Sequence, residues 1–145
     1  MAIERSARAE WAGTLKHGQG AVYSDSGILD GATYTFPSRF ESGQGTNSEE
    51  LIAAAHAACF SMALSLNLEE GGAQPHLIRT SATVQLEKEG EGFAITAIHL
   101  NTEVEADNIT QDDFQKTAEK TKDGCPVSKL LKPGLKSLSL EAKLL

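Results

Sequence analysis

Apolar and polar residues alternate at the start of the chain. Ala7, Ala9 and Trp11 are interleaved with Arg8 and Glu10, the two-residue period of a half-buried strand. Ala21-Val22-Tyr23 and Thr33-Tyr34-Thr35-Phe36 bring the β-branched and aromatic residues that suit a pleated surface, and HGQG and SDSG mark turns between the runs. Pro37 ends the third run and leaves Arg39 in a loop.

Alternation then gives way to TNSEELIAAAHAACFSMALSLNLEEGG over residues 46–72. Thr46 stands three residues before Glu49, the spacing of a capping box, and Gly71-Gly72 supplies a stop. The spacing predicts a helix of about 22 residues, roughly 33 Å long. Its apolar residues fall on nearly every side, so it must be covered all round. That is a large demand on a chain of 145 residues, and burial by a second copy across a two-fold axis is a natural remedy. Leu51 to Leu68 contains no Asp, Glu, Lys or Arg and approaches the roughly 20 residues that span a bilayer. His56, Ser61, Ser65 and Asn67 within it, with acidic pairs on both flanks, disfavour insertion, so it reads as a buried core helix.

The strand period returns at Ile78, Thr80, Ala82, Val84 and Leu86, turns at EGEG, and continues from Phe93 to Val104 as the second arm of a long hairpin. A second helix is expected from Thr110 to Lys122, with Asp113 in the capping position and Gly124 closing it. Cys125-Pro126 opens a third, short helix to about Leu131, since proline is favoured at the first helical position. After KPG, Leu138, Leu140, Ala142 and Leu144 alternate with Ser139, Glu141 and Lys143 as a last strand. The order βββ-α-ββ-αα-β implies an antiparallel α+β fold, with residues 1–145 as a single domain.

A formal net charge of −7 argues against general nucleic-acid binding, which needs clustered Lys and Arg to neutralise phosphates. The opening MAIERSARAE brings charges early and has no apolar core of a signal peptide, so the chain reads as cytoplasmic. Two cysteines in such a chain do not make a structural disulfide framework; any disulfide between them is transient and chemical.

Cys59, alone, suits the role of a small buried hydrophobe. Cys125 changes that reading: it precedes proline at a helix start, where free N–H groups favour a thiolate, and Lys129 follows one turn later. Together the thiols suit a couple in which one sulfur attacks peroxide, becomes sulfenic acid and is captured by the other. Arg39 offers a permanently charged fork for a thiolate, a peroxide oxygen or a carboxylate; taken singly it is also an ordinary surface residue, and Glu49 an ordinary helix cap. His56, three residues before Cys59, raises a Cys-His hydrolase dyad or a zinc site with both cysteines. The dyad lacks an orienting group and the zinc site a fourth ligand, so a hydrogen-bonded core histidine is the preferred reading.

FPSRFE, TNSEELIAAAHAACFSMALS and CPVSKLL together resemble the osmotically inducible protein C and organic hydroperoxide resistance protein family of bacterial thiol peroxidases, over almost the whole chain. PSRFE and AHAACFSMALS favour the osmotically inducible branch. The resemblance implies an intertwined two-fold homodimer with a long central helix, active sites at the interface, and reduction of organic hydroperoxides, hydrogen peroxide being poorer. It implies Cys59 as peroxidatic and Cys125 as resolving thiol, Arg39 holding the thiolate and Glu49 orienting Arg39. Asn47-Ser48-Glu49 stands where Asn-Pro-Glu is commoner, and Arg8 is the fallback if the other branch applies. No cofactor and no metal are implied; the reductant is a dithiol, such as a lipoylated protein. A greasy substrate tail calls for an apolar cleft, for which Leu51, Phe60 and Met62 are the candidates.

Helix geometry adds an expectation. Glu49 and Cys59 are separated by roughly 15 Å of helix rise, too far for a Glu49–Arg39 unit to serve the sulfur of its own helix without a large loop excursion. Arg39 and Glu49 are therefore expected to act on the partner's Cys59. The competing reading is a redox sensor or small-ligand-binding protein with the same thiols and no turnover.

Overall fold

The structure, a computed structural model, describes residues 1–145. The chain folds as two compact units, Met1–Leu51 and Ile52–Leu145.

In the first unit, β1 (Ala7–Ala12), β2 (Gln19–Ser24) and β3 (Asp30–Tyr34) form an antiparallel meander in that order. Gly20 faces Trp11 and Tyr34 so closely that an added Cβ would collide with the Tyr34 ring; a residue without a side chain lets the two aromatic rings pack 5.4 Å apart. Pro37 does not simply end a strand. It lies in the first turn of a one-turn helix, α1 (Phe36–Phe40), and Arg39 stands on that helix instead of in a loop. Thr35 caps it reciprocally with Ser38: the Ser38 N–H donates to Thr35 Oγ1 at 3.1 Å and the Thr35 N–H to Ser38 Oγ at 2.8 Å.

The long helix α2 (Ser48–Glu70) begins in this unit. Its cap is Asn47, not the expected Thr46. Asn47 Oδ1 accepts from the Glu50 N–H at 2.8 Å, and Thr46 Oγ1 donates to the Glu50 carboxylate at 2.7 Å. This frees the Glu49 carboxylate for another partner.

In the second unit, β4 (Gln74–Glu89) and β5 (Gly92–Asp107) form the long hairpin, and β6 (Ser137–Leu144) completes a three-stranded sheet beside β5. The α+β class stands, but β6 runs parallel to β5. The reason is the connection: the chain returns through α3 (Gln111–Gly124), α4 (Pro126–Leu131) and a 3₁₀ turn at Lys132–Gly134, and a crossover of this kind starts the next strand at the same end as the last. Thr110 caps α3 by accepting from the Asp113 N–H at 3.2 Å. Ile98, Leu100 and Val104 from β5, Phe114 and Ala118 from α3, and Phe60, Leu64 and Leu68 from α2 make the core.

His56, Phe60, Leu64 and Leu68, four residues apart, mark the buried stripe of α2, whereas Ala54, Ala58, Met62 and Leu66 form a solvent-exposed one. Within the second unit α2 is therefore covered on one side only, not all round. By length and composition α2 is also apolar enough to cross a membrane; its buried stripe lies instead in the core of the second unit.

Candidate active site

Cys125 is at once the residue that closes α3 and the N-cap of α4, in extended conformation. Its sulfur accepts the Ser128 N–H at 3.4 Å, the cap geometry that the CPVS spacing foretold. Cys59, one turn before the middle of α2's buried stripe, is half-buried, and both thiols are free. The Cys125 sulfur and the Val127 backbone of α4 nevertheless stand near enough to Cys59 to act on its ionisation. Two sulfurs far apart in sequence are thus neighbours in the reduced protein. Burial has the largest influence on the Cys59 thiol and raises its pKa above the usual value; the Val127 N–H lowers it, and the adjoining Cys125 sulfur raises it again. None of the groups of the second unit that act on Cys59 is a cation.

His56 neither pairs with Cys59 nor joins a cluster with metal-ligand character. Its Nε2 lies 2.7 Å from Ser128 Oγ, which in turn is 3.1 Å from Cys125 Sγ. His56 and Ser128 are fully buried, and burial lowers the His56 pKa, which keeps the ring neutral. The unfolded state therefore binds an extra proton below about pH 6.5, the usual imidazole value. Stability is complete above that pH and falls as pH drops through it, by at most about 1.4 kcal/mol per pH unit from this one group. Denaturant titrations between pH 7 and 5 should show this slope, and His56→Gln should flatten that part of it.

Arg39 and Glu49 are brought together in the first unit. Arg39 Nε donates to Glu49 Oε1 at 3.0 Å, with the Glu49 side chain 10% and Arg39 38% exposed. Glu49 Oε2 is buried without a partner, and the Arg39 guanidinium carbon lies 5.1 Å from the centre of the Phe40 ring. The ion pair fixes the guanidinium by Nε and leaves its two terminal nitrogens to face another group. Arg8, the fallback, stacks over the Tyr23 ring at 4.1 Å instead.

Residues 41–137 match the family profile of OsmC-like proteins. The chain belongs to the OsmC-like protein family. It is 51% identical over 132 residues to the peroxiredoxin OsmC of Escherichia coli K12, covering 91% of this chain and 92% of that one. An organic hydroperoxide resistance protein-like 2 from Staphylococcus epidermidis is 34% identical over 91 residues, 61% of this chain and 62% of its own. Among solved structures, the organic hydroperoxide resistance protein OhrB of Bacillus subtilis superposes with a TM-score of 0.70 at 28% identity, covering 95% of this chain and 98% of its own.

The cleft candidates of this OsmC-like chain fare differently. Phe60 is fully enclosed in the core of the second unit and is not open to a ligand, because the stripe it shares with His56 and Leu64 is the covered one. Met62 is 78% exposed and lines an open groove of about 400 Å³ with Ala58 and residues of β4. Leu51 is half-buried. An apolar cleft with a charge at its edge lies in the first unit: about 450 Å³, lined by Trp11, Leu15, Tyr34, Phe36 and Phe40 together with Arg39. Sequence reading missed these aromatics, since they come from three separate elements; their signal was the recurrence of Trp, Tyr and Phe around Arg39.

Proposed function

We propose that the chain is a thiol-dependent peroxidase that reduces organic hydroperoxides to alcohols, hydrogen peroxide being a poorer substrate, with Cys59 as attacking and Cys125 as resolving thiol. The observation that carries the reading is the pair of free, adjoining sulfurs. In the first step the Cys59 thiolate attacks the terminal peroxide oxygen and the O–O bond breaks. The sulfur becomes sulfenic acid, and the alkoxide leaves as the alcohol after taking a proton. Cys125 then attacks Cys59, the S–O bond breaks, and water departs from a Cys59–Cys125 disulfide. An external dithiol, a lipoylated protein or a small dithiol, restores both thiols as it is oxidised to its own disulfide. No cofactor takes part.

A thiol raised by burial needs a cation before it is a nucleophile at neutral pH. We assign that cation to Arg39 of the partner subunit of a homodimer, aimed by the partner's Glu49. Two observations support this: the groups of its own unit that act on Cys59 include no cation, and Arg39 has terminal nitrogens to spare. Antiparallel packing of two α2 helices sets one helix start beside the other's middle, and the exposed Ala54–Ala58–Met62–Leu66 stripe is the face such packing covers. The aromatic cleft beside Arg39 takes the alkyl part of the hydroperoxide. In this reading residues 1–145 work as one cytoplasmic domain.

Steady-state consumption of cumene hydroperoxide with excess dithiol tests the activity. Many turnovers per protein, faster than with hydrogen peroxide, are expected; a single equivalent consumed and no more would favour a sensor. Met62→Glu should shift the protein to monomers in sedimentation velocity and lower turnover by roughly tenfold or more, because a buried unpaired charge opposes the interface. A fully active monomer would remove the shared site.

A further inference from the structure

His56, Ser128 and Cys125 form one enclosed series of contacts, 2.7 Å from Nε2 to Oγ and 3.1 Å from Oγ to Sγ, each residue at most 1% exposed. Two proton arrangements fit these distances. If Nε2 accepts, the imidazole proton sits on Nδ1, which is buried without a partner, and an enclosed N–H loses its hydration with nothing in return. If Nε2 carries the proton, Nδ1 has only an unbonded lone pair, the smaller loss. His56 is then the donor and Ser128 Oγ the acceptor. The hydroxyl hydrogen is left to point at Cys125 Sγ, where the Ser128 N–H already donates.

We propose that His56 is a positioning residue for the second half of the reaction: as the Nε2–H tautomer it fixes the Ser128 hydroxyl on Cys125, whose sulfur then meets two donors as it becomes anionic. The inference rests on the reading of Cys125 as resolving thiol. In the step it serves, the Cys125 proton passes to the departing oxygen of the Cys59 sulfenic acid. The S–O bond breaks, an S–S bond forms and water leaves; Cys125 sulfur is oxidised and Cys59 sulfur reduced. The titratable groups that meet Cys125 are Cys59 on α2 and, through Ser128, His56 on the same helix. The charged neighbours in sequence are otherwise engaged or outward: Lys122 with Glu119, Asp123 with Lys132, and Lys129 exposed on α4.

Rapid-quench mass spectrometry after one equivalent of cumene hydroperoxide separates the two steps, as gain of an oxygen and then loss of water. In Ser128→Ala the second step should slow roughly tenfold near neutral pH, and its pH midpoint should rise by about one unit, as expected for one hydrogen bond lost from an anion. His56→Leu should behave alike, whereas His56→Gln, which keeps an N–H near Nε2, should restore the wild-type midpoint. Long-range ¹⁵N–¹H spectra of the unmodified protein should show neutral His56 protonated on Nε2, a readout that needs no variant to fold. An Nδ1–H tautomer, or an unchanged midpoint in Ser128→Ala, overturns the inference and leaves the peroxidase reading intact. Wild-type protein that never forms the disulfide overturns both.

Discussion

Cys59→Ser should end hydroperoxide turnover, with a loss of roughly 10³-fold or more, because a serine hydroxyl at neutral pH has almost none of the nucleophilic anion that a thiol can supply. Cys125→Ser should differ in kind. Its Cys59 still meets peroxide and gains one oxygen, but the sulfenic acid has no internal thiol to capture it, so it persists or climbs to sulfinic acid on further exposure. The two variants thus separate attack from resolution. Stopped-flow peroxide consumption for the first turnover, beside mass analysis of each product, reads both. Undiminished consumption by Cys59→Ser would move the nucleophile elsewhere.

The second large effect concerns the cation. Burial and the Cys125 sulfur both raise the Cys59 pKa, so without a guanidinium the thiolate is scarce at neutral pH. Arg39→Ala should cost about 10²–10³-fold in turnover, the scale of removing one preorganised charge-stabilising group. Its activity should climb as pH rises, because a raised thiol ionises only at higher pH. Glu49→Gln should fall in the same direction by less, since Arg39 stays present but loses the anionic partner at 3.0 Å that aims it. Mixing answers where Arg39 acts. A dimer of one Arg39→Ala chain and one Cys59→Ser chain contains, under the shared-site arrangement, one site with both residues intact. Two inactive preparations, unfolded and refolded together, should then recover about a quarter of wild-type activity, as random pairing makes half the dimers mixed and each carries one working site. No recovery would place Arg39 and Cys59 of one chain in the same site.

Much of this was readable before any coordinates, and the exceptions share a cause. Alternation placed β4, β5 and β6 because a strand's period is written residue by residue, and Thr110 and Cys125 were legible as helix starts because a cap is a local spacing. Direction is not local: nothing in Leu138 to Leu144 says whether the strand runs with or against its neighbour, and the parallel pairing of β6 follows from the helical crossover before it. Pro37 was ambiguous for a different reason. Proline both ends strands and begins helices, and the deciding feature was the Thr35–Ser38 reciprocal cap. At α2, two cap-forming residues stand side by side, and the choice of Asn47 over Thr46 is what turns Glu49 toward Arg39. Phe60 could not be placed on a face because the helix is apolar on every side; the core of the second unit chose it. The two cysteines were singled out by type and setting, but their proximity depends on how α4 docks beside α2, which no spacing encodes.

Intact-mass analysis before and after one equivalent of an organic hydroperoxide, with peptide mapping under non-reducing conditions, bears most directly on the Cys59–Cys125 couple. The expected product is lighter by two hydrogens, with the peptides of Cys59 and Cys125 joined. A product heavier by one oxygen on Cys59, stable while Cys125 stays free, would contradict it.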